Sequence, residues 1–232
     1  MTQKMEPLVA WRALRRLIAD PEQTQEVFTI IRALSGPALE NGYKKFVKTP
    51  VGERVMAEKV DLLDTLLDRE TLAGLPADSL GRHYLGFVTR ENISADGLVE
   101  ASEEDGEYQY LSDDVAHFGR RQRDMHDLWH TLTEYGRDEL GEVCLLAFTY
   151  AQTKNRGIGV ICLAGMFNLR PTFGWGVFKA AWRAYRDGKQ AAWLPAADWE
   201  NLLTLPIAEV RDELRIQPPA RYLELHANAA LA

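Results

Sequence analysis

The most constraining feature of this sequence is the helical spacing of its apolar residues. In the segment 7–19, apolar residues recur at every third position, at Leu8, Trp11, Leu14 and Leu17. This spacing places them along one face of an α-helix. Similar spacing continues along the chain, and no alternating series of apolar and polar residues indicates a β-sheet. The sequence therefore predicts an all-α protein, folded as a single-domain helical bundle over residues 1–232.

Proline, glycine and small polar residues mark the ends of the predicted helices. Pro21 can open a second helix that stops at Gly36, and Thr49 is placed to cap a helix that starts at Pro50. The acidic stretch 94–114 is poor in aliphatic residues, which predicts an exposed connection. The other predicted segments are a core over about 7–217, helices over about 58–74, 112–134, 139–153, 156–168 and 173–187, a short helix over 199–203 between loops at 194–195 and 206–214, and a tail over 218–232.

Charge and cysteine content exclude several classes of protein. With a formal net charge of −7, the chain is not expected to be a general nucleic-acid binder. Cys144 and Cys162 lie in apolar stretches and are expected to be buried thiols, which suits a reducing compartment. The sequence begins without the apolar run of a signal peptide and contains no run of about 20 apolar residues. A cytoplasmic protein is therefore expected.

Chemistry is indicated by the stretch Met125-His126-Asp127-Leu128-Trp129-His130, which Glu142 follows. Positions four residues apart on a helix share a face, so His126 and His130 can bind one ion, with Asp127 at the edge of that face. Nitrogen and carboxylate ligands suit zinc or iron. The alternative is a partly buried, hydrogen-bonded histidine pair without a metal, and the spacing alone leaves that alternative open.

A straight helix would keep Glu142 away from these ligands. At ~1.5 Å per residue, Glu142 would lie about 18 Å along the helix axis from His130 and about 120° around it. However, Gly136 offers a left-handed C-terminal cap, and Asp138 can cap a new helix. The sequence thus predicts a metal-binding helix–turn–helix hairpin, in which Glu142 lies on the second arm.

The same residues resemble the signature of the coenzyme Q (ubiquinone) biosynthesis protein 4 family, which is His-Asp-x-x-His, eleven residues and Glu. The resemblance covers about residues 10–217 and includes further stretches at Leu75 to Tyr84, Trp182 to Gly188, Asp198-Trp199-Glu200, and Pro206 to Ile216 with Arg211 and Leu214. Two residues depart from the family pattern. Asp78 and Glu134 each stand where the family usually has glycine.

The resemblance implies a bacterial-type protein of ubiquinone biosynthesis, cytoplasmic with peripheral contact to the inner membrane. It implies a divalent metal on His126, Asp127, His130 and Glu142, usually zinc, with iron or cobalt as alternatives. The family is linked to removal of the carboxyl group at ring carbon 1 of a prenylated benzoate precursor, with hydroxylation there. The alternative is a non-catalytic, lipid-binding scaffold with a structural metal. Expected partners are a prenylated quinone precursor and other quinone-biosynthesis proteins, and a homodimer is allowed.

Aromatic residues after the motif are candidates for a lipid site. An isoprenoid tail could lie against Met166, Phe167, Phe173, Phe178 and Trp182, together with Trp175 and Tyr185. Core packing is the alternative that the sequence alone favours, and the resemblance shifts the expectation toward tail binding. Arg120 and Arg121 precede the motif and are candidate contacts for an acidic head group, with a solvated surface as the alternative.

Overall fold

The computed structural model describes residues 5–20, 23–94 and 111–229, which fold into helices joined by short connections. In chain order the first helices are α1 (Pro7–Ala19), α2 (Thr24–Ser35), α3 (Ala38–Phe46), α4 (Pro50–Glu58), α5 (Leu62–Leu67), α6 (Arg69–Gly74) and α7 (Leu80–Arg90). After them come α8 (Asp113–Asp124), α9 (His126–Thr133), α10 (Glu139–Thr153), α11 (Arg156–Phe173), α12 (Gly176–Gln190), a 3₁₀ turn (Leu194–Ala196), α13 (Trp199–Leu202), α14 (Ile207–Leu214) and α15 (Ala220–Ala229). Strand-type pairing in the described part of the chain is limited to an isolated bridge between Ser79 and Pro206. The all-α prediction is therefore confirmed.

Several predicted helix ends are confirmed by local contacts. The Thr49 hydroxyl accepts a hydrogen bond from the Gly52 N–H at 3.0 Å, directly before Pro50 opens α4. The helix α2 ends at Gly36, whose φ of 51° is a backbone conformation that glycine adopts without strain. The predicted start at Pro21 lies outside the described residues.

Other predicted segments differ from the structure. A turn at Met125 divides the predicted helix 112–134 into α8 and α9. The prediction of a loop over 206–214 is wrong, because Ile207, Val210 and Leu214 form the buried face of α14. The segment predicted as a tail contains α15, on which Tyr222 is buried. Of the predicted exposed connection, residues 95–110 lie outside the described residues.

One compact unit comprises Met1–Ala38, Thr133–Ala191 and Ile216–Ala232. In its core, Ala13, Ile30 and Ile161 bring together α1, α2 and α11. Cys144 and Cys162 are buried free thiols, as predicted, and burial raises the pKa of the Cys162 thiol to about 12. Both cysteines therefore act as small apolar residues near neutral pH.

A second compact unit comprises Leu39–Leu132 and Ala192–Arg215. Phe46, Val55 and Phe118 are fully buried in its core and join α3, α4 and α8. The assignment of residues 1–232 to a single domain stays a prediction. Every helix along the described residues is too short or too polar to cross a lipid bilayer.

Two arginines of α8, Arg121 and Arg123, are buried rather than solvated. The side chain of Arg121 is 1% exposed and donates hydrogen bonds of 2.6 and 3.0 Å to the two carboxylate oxygens of Glu200. Arg123 is also buried and donates to Asp124 at 2.8 Å. The expectation of a solvated surface at Arg121 is therefore wrong, because a carboxylate from a distant part of the sequence neutralises the guanidinium inside the fold.

Candidate metal centre

The two histidines lie together at the start of α9. His126 is its first residue and is half-buried, whereas His130 is 1% exposed. Their Nε2 atoms are 3.2 Å apart, and the two rings meet edge to face with centroids 4.8 Å apart. Two nitrogens bound at about 2.0–2.1 Å to a tetrahedral ion would be about 3.3 Å apart. The observed separation fits that geometry, and it also fits a hydrogen bond between the rings.

Neighbouring helices hold His130 and the end of α9. The ring of Phe87 on α7 stacks on the His130 ring, with centroids 5.7 Å apart and planes 19° apart. The guanidinium of Arg211 on α14 donates from Nε to the Leu132 carbonyl at 2.9 Å, and from Nη2 to the Thr131 carbonyl at 3.3 Å. Arg211 thereby satisfies backbone carbonyls that the end of a helix leaves without partners. The family resemblance includes Arg211 but does not predict this role.

The chain leaves α9 through a residue with a left-handed backbone. Glu134 has a φ of 60°, whereas Gly136 does not lie in the left-handed region. The predicted left-handed cap at Gly136 is therefore wrong, and the residue that departs from the family's glycine adopts that conformation instead. Position 136 requires glycine because a larger residue would clash there. A Cβ would lie 2.6 Å from both an Asp138 carboxylate oxygen and the Tyr222 hydroxyl.

The predicted cap of the second helix is confirmed. The Asp138 Oδ1 atom accepts hydrogen bonds from the N–H groups of Leu140 and Gly141, each at 3.1 Å. Gly141 approaches the preceding loop so closely that a Cβ would lie 2.0 Å from the Gly136 carbonyl oxygen. Glu142 is half-buried, and its N–H donates to the Asp138 carbonyl at 2.9 Å. The cap therefore fixes Glu142 within the first turn of α10.

Within the continuous segment 126–142, three of the four predicted ligands come together. One ring nitrogen of His126, one of His130 and one carboxylate oxygen of Glu142 all lie within 4.8 Å of one another. Two imidazoles and a carboxylate are a donor set that fits zinc or iron. These three residues form a possible metal-binding triad.

Asp127 lies outside this triad. Its side chain is buried, at 5% exposure. Burial raises the pKa of the Tyr84 hydroxyl, and the negative charge of Asp127 raises it further. Asp127 therefore acts electrostatically on Tyr84, and its role as a fourth ligand stays a prediction.

The aromatic residues predicted to bind lipid lie on α11 and α12, and none of them is buried. Phe167 and Trp182 are 56% and 63% exposed, while Met166, Phe173 and Phe178 are half-buried. We call the five residues together with Trp175 and Tyr185 the aromatic face. Ring contacts link its members: Phe167 to Phe178 at 5.3 Å, Trp175 to Phe178 at 5.1 Å, and Trp182 to Tyr185 at 5.5 Å between centroids. Phe167 and Trp182 are thus not core residues, and lipid binding by the aromatic face stays a prediction.

The two candidate head-group arginines differ in their surroundings. Arg121 already binds Glu200 through two hydrogen bonds, which gives it a structural role. Arg120 is half-buried. Burial of His117 lowers its pKa, and the positive charge of Arg120 lowers that pKa further. Contact of Arg120 or Arg121 with an acidic head group stays a prediction.

The left-handed backbone at position 134 leads to a stability prediction. We expect the free energy of unfolding of Glu134→Gly to be about 1 kcal/mol higher than that of Glu134→Ala. The left-handed conformation costs a non-glycine residue about 1–2 kcal/mol, which exceeds the conformational entropy that glycine loses on folding. Both variants remove the carboxylate, so their difference isolates the backbone. Urea unfolding followed by circular dichroism measures it. Equal free energies in the two variants would show that position 134 carries no such strain.

Comparisons with known proteins agree with the resemblance. The family profile described as coenzyme Q (ubiquinone) biosynthesis protein Coq4 matches residues 3–220. The mitochondrial ubiquinone biosynthesis protein COQ4 of Podospora anserina is 30% identical over 182 residues, which cover 77% of this chain and 58% of that protein. The mitochondrial COQ4 homolog of Rattus norvegicus is 29% identical over 182 residues, or 76% of this chain and 65% of that protein. The chain thus spans about three fifths of the length of these relatives.

A solved structure shares the fold. The crystal structure of a Nostoc punctiforme PCC 73102 protein, provisionally assigned to ubiquinone biosynthesis, matches with a TM-score of 0.64 at 22% identity. The match covers 91% of this chain and 98% of that chain. At this identity the likeness supports the all-α fold, whereas the profile match extends over nearly the whole sequence. The chain therefore belongs to the coenzyme Q (ubiquinone) biosynthesis protein Coq4 family.

Proposed function

We propose that this chain binds a divalent metal ion through His126, His130 and Glu142, with Asp127 as the fourth ligand. We further propose that it acts in removal of the carboxyl group at ring carbon 1 of a prenylated ubiquinone precursor, with hydroxylation of that carbon. The observation that supports the proposal most is the grouping of three donor atoms within 4.8 Å. Membership of a ubiquinone-biosynthesis family supports the proposed substrate class.

The residues around the site define what it can do. Two neutral imidazoles and two carboxylates would balance the charge of a divalent ion. Such an ion supplies Lewis-acid stabilisation of negative charge on an oxygen ligand, such as a ring carboxylate. His130 is held in the interior by Phe87, so a ring substrate would approach from the half-buried side chains of His126 and Glu142. Hydroxylation also requires an oxidant, and since zinc has no redox chemistry, turnover would need iron or a separate oxidant.

The aromatic face is the proposed site for the isoprenoid tail and for peripheral membrane contact. Basic groups lie beside its rings, with the Arg170 guanidinium 4.5 Å from the Trp175 ring centroid and the Lys154 ammonium 5.3 Å from the Tyr185 centroid. Exposed tryptophan beside basic side chains suits a lipid–water boundary, where rings contact acyl chains and cations contact anionic head groups.

The alternative is a non-catalytic scaffold of a quinone-biosynthesis complex, in which the metal is structural. Burial of the ligands favours this alternative, because His130 is 1% exposed and Asp127 is 5% exposed. A closed set of four protein ligands is typical of structural sites, and an open coordination position is typical of catalytic ones.

The two functions are separated by metal analysis and turnover. Purified chain would be analysed for metal and for co-purified prenylated lipid. It would then be incubated in air with a prenylated hydroxybenzoate and Fe(II), Co(II) or Zn(II), with products followed by mass spectrometry. An equimolar metal and a decarboxylated, hydroxylated product support the enzyme. Bound metal and lipid without product under any ion favour the scaffold, and a chain that takes up no metal overturns both.

Removal of tryptophans from the aromatic face is predicted to weaken lipid binding. We expect Trp175→Ala combined with Trp182→Ala to weaken binding to anionic vesicles that contain a prenylated ring compound by at least about tenfold, because burying a large apolar side chain contributes about 1.5–3 kcal/mol. Co-sedimentation with the vesicles measures it. The matched control is Trp11→Ala, which removes a tryptophan of similar exposure, 59%, from α1. Equal binding by the double variant and the control would refute the assignment.

A further inference from the structure

The C-terminal helix α15 contacts the turn that leads to Glu142. The Tyr222 hydroxyl donates a hydrogen bond to Asp138 Oδ2 and accepts one from the Gly136 N–H at 3.2 Å. It therefore joins both ends of the short turn between Gly136 and the cap of α10. Burial, followed by the hydrogen bond to Asp138, raises the pKa of Tyr222. The hydroxyl thus keeps its proton and stays a donor at neutral pH.

The two oxygens of the Asp138 carboxylate accept hydrogen bonds from different groups. Its Oδ1 accepts from the first N–H groups of α10, and its Oδ2 accepts from Tyr222. The Asp138 carbonyl also accepts from the Glu142 N–H. The position of Glu142 is therefore tied through Asp138 to the Tyr222 hydroxyl. On the same helix, His226 Nε2 lies 4.0 Å from Asp138 Oδ2, beyond hydrogen-bond distance.

The helix α15 packs against several neighbouring parts of the same compact unit. The rings of Tyr222 and Tyr135 meet edge to face, with centroids 5.7 Å apart. At the start of α12, Gly176 leaves room for Leu225, since a Cβ there would lie 2.7 Å from Leu225 Cδ1. The helix also contacts α10 and α11. These packing contacts hold the Tyr222 side chain next to the turn.

We propose that Tyr222 is a positioning residue for the metal site, which sets the first turn of α10 so that the Glu142 carboxylate meets His126 and His130. This inference rests on the proposed metal binding. It assigns a role to a residue beyond position 220, where the family match ends. A group that hydrogen-bonds a metal ligand directly typically changes metal affinity about 10–100-fold. Tyr222 acts one contact further from the ion, so an effect at the lower end of that range is expected.

Metal titration of the Tyr222→Phe variant tests the inference. The variant keeps the ring beside Tyr135 and removes only the hydroxyl. We expect it to bind Co(II) and Zn(II) about tenfold more weakly than the unmodified chain, and to show an altered Co(II) absorption band. Asp138→Asn is a second variant that keeps a helix cap but removes the acceptor of the Tyr222 hydroxyl, and the same change is expected.

Two controls separate positioning from general loss of stability. Tyr43→Phe removes another tyrosine hydroxyl that contacts an aspartate, Asp114, at 3.5 Å. Asn155→Ala removes the cap of α11 and lowers stability without touching the turn. Both controls are expected to keep the affinity and the Co(II) band of the unmodified chain.

The outcomes distinguish this inference from the function on which it rests. If the unmodified chain binds neither ion, metal binding and the positioning role are both overturned. If the unmodified chain binds but Tyr222→Phe and Asp138→Asn bind equally well, only the positioning role is overturned. A matching loss of affinity in Asn155→Ala would also overturn it, because the effect would then follow stability alone.

Discussion

His130→Ala is expected to weaken binding of Co(II) or Zn(II) by at least about a hundredfold, because it removes a ligand itself, whereas outer partners of ligands change affinity about 10–100-fold. The remaining donors would be a half-buried histidine and carboxylates. Isothermal titration with each ion measures the change. His83→Ala is the matched control, because it removes an exposed histidine on α7 that is not part of the triad.

Thermal unfolding gives a second measurement of the same variant. An ion present at about 100 times its dissociation constant stabilises the native state by about 2.7 kcal/mol. We expect this stabilisation in the unmodified chain and in His83→Ala, and its loss in His130→Ala. A shift of the melting temperature by metal that is the same in all three proteins would contradict a role for His130 in binding.

The largest expected effect on stability is that of Glu200→Ala. Removing one partner of a buried ion pair typically costs about 3–5 kcal/mol, because the other charge remains buried without compensation. Here the remaining charge is the guanidinium of Arg121, whose side chain is 1% exposed. Chemical unfolding measures the loss. The control is Glu26→Ala, which breaks an ion pair with the exposed Arg16 and is expected to cost less than about 1 kcal/mol. Similar losses in both variants would contradict a special role for the buried pair.

Because of the same ion pair, the free energy of unfolding is expected to depend on pH. Burial alone would raise the pKa of Glu200, but the hydrogen bond and charge of Arg121 bring it below the ordinary value of 4.5. A folded-state pKa below the unfolded value stabilises the protein above the unfolded pKa, and this contribution is lost as the pH falls through the folded pKa. Unfolding free energies measured between pH 7 and pH 3 should therefore decline less steeply in Glu200→Ala than in the unmodified chain.

Local features of the fold could be predicted from sequence because they depend on neighbouring residues. The Thr49 cap and the end of α2 at Gly36 each involve contacts or conformations within a few positions. The cap at Asp138 is of the same kind, and it placed Glu142 on a separate helix from His130. In contrast, residue type predicts the left-handed conformation at Gly136, whereas the backbone adopts it at Glu134.

Features that depend on distant residues could not be predicted. The burial of Arg121 could not be predicted, because its partner Glu200 is 79 positions away. The cap that Arg211 provides to α9 likewise joins residues 79 positions apart. The prolines at 218 and 219, directly before α15, are a signal that could have indicated a helix start there, since proline is tolerated in the first turn. The burial of Tyr222 against the turn depends on packing that the spacing does not show.

The compact unit that carries α10 is assembled from three separate stretches of sequence, and this has a consequence for synthesis. The apolar face of α2 packs on α11, and Asn155 donates a hydrogen bond of 2.7 Å to Ser35, 120 positions earlier. Because a chain emerges from the ribosome N-terminus first, α1 and α2 leave it long before their packing partner has been made. Nascent chains should therefore expose the apolar surface of α1 and α2 that faces α11 through much of translation, which would favour early chaperone binding.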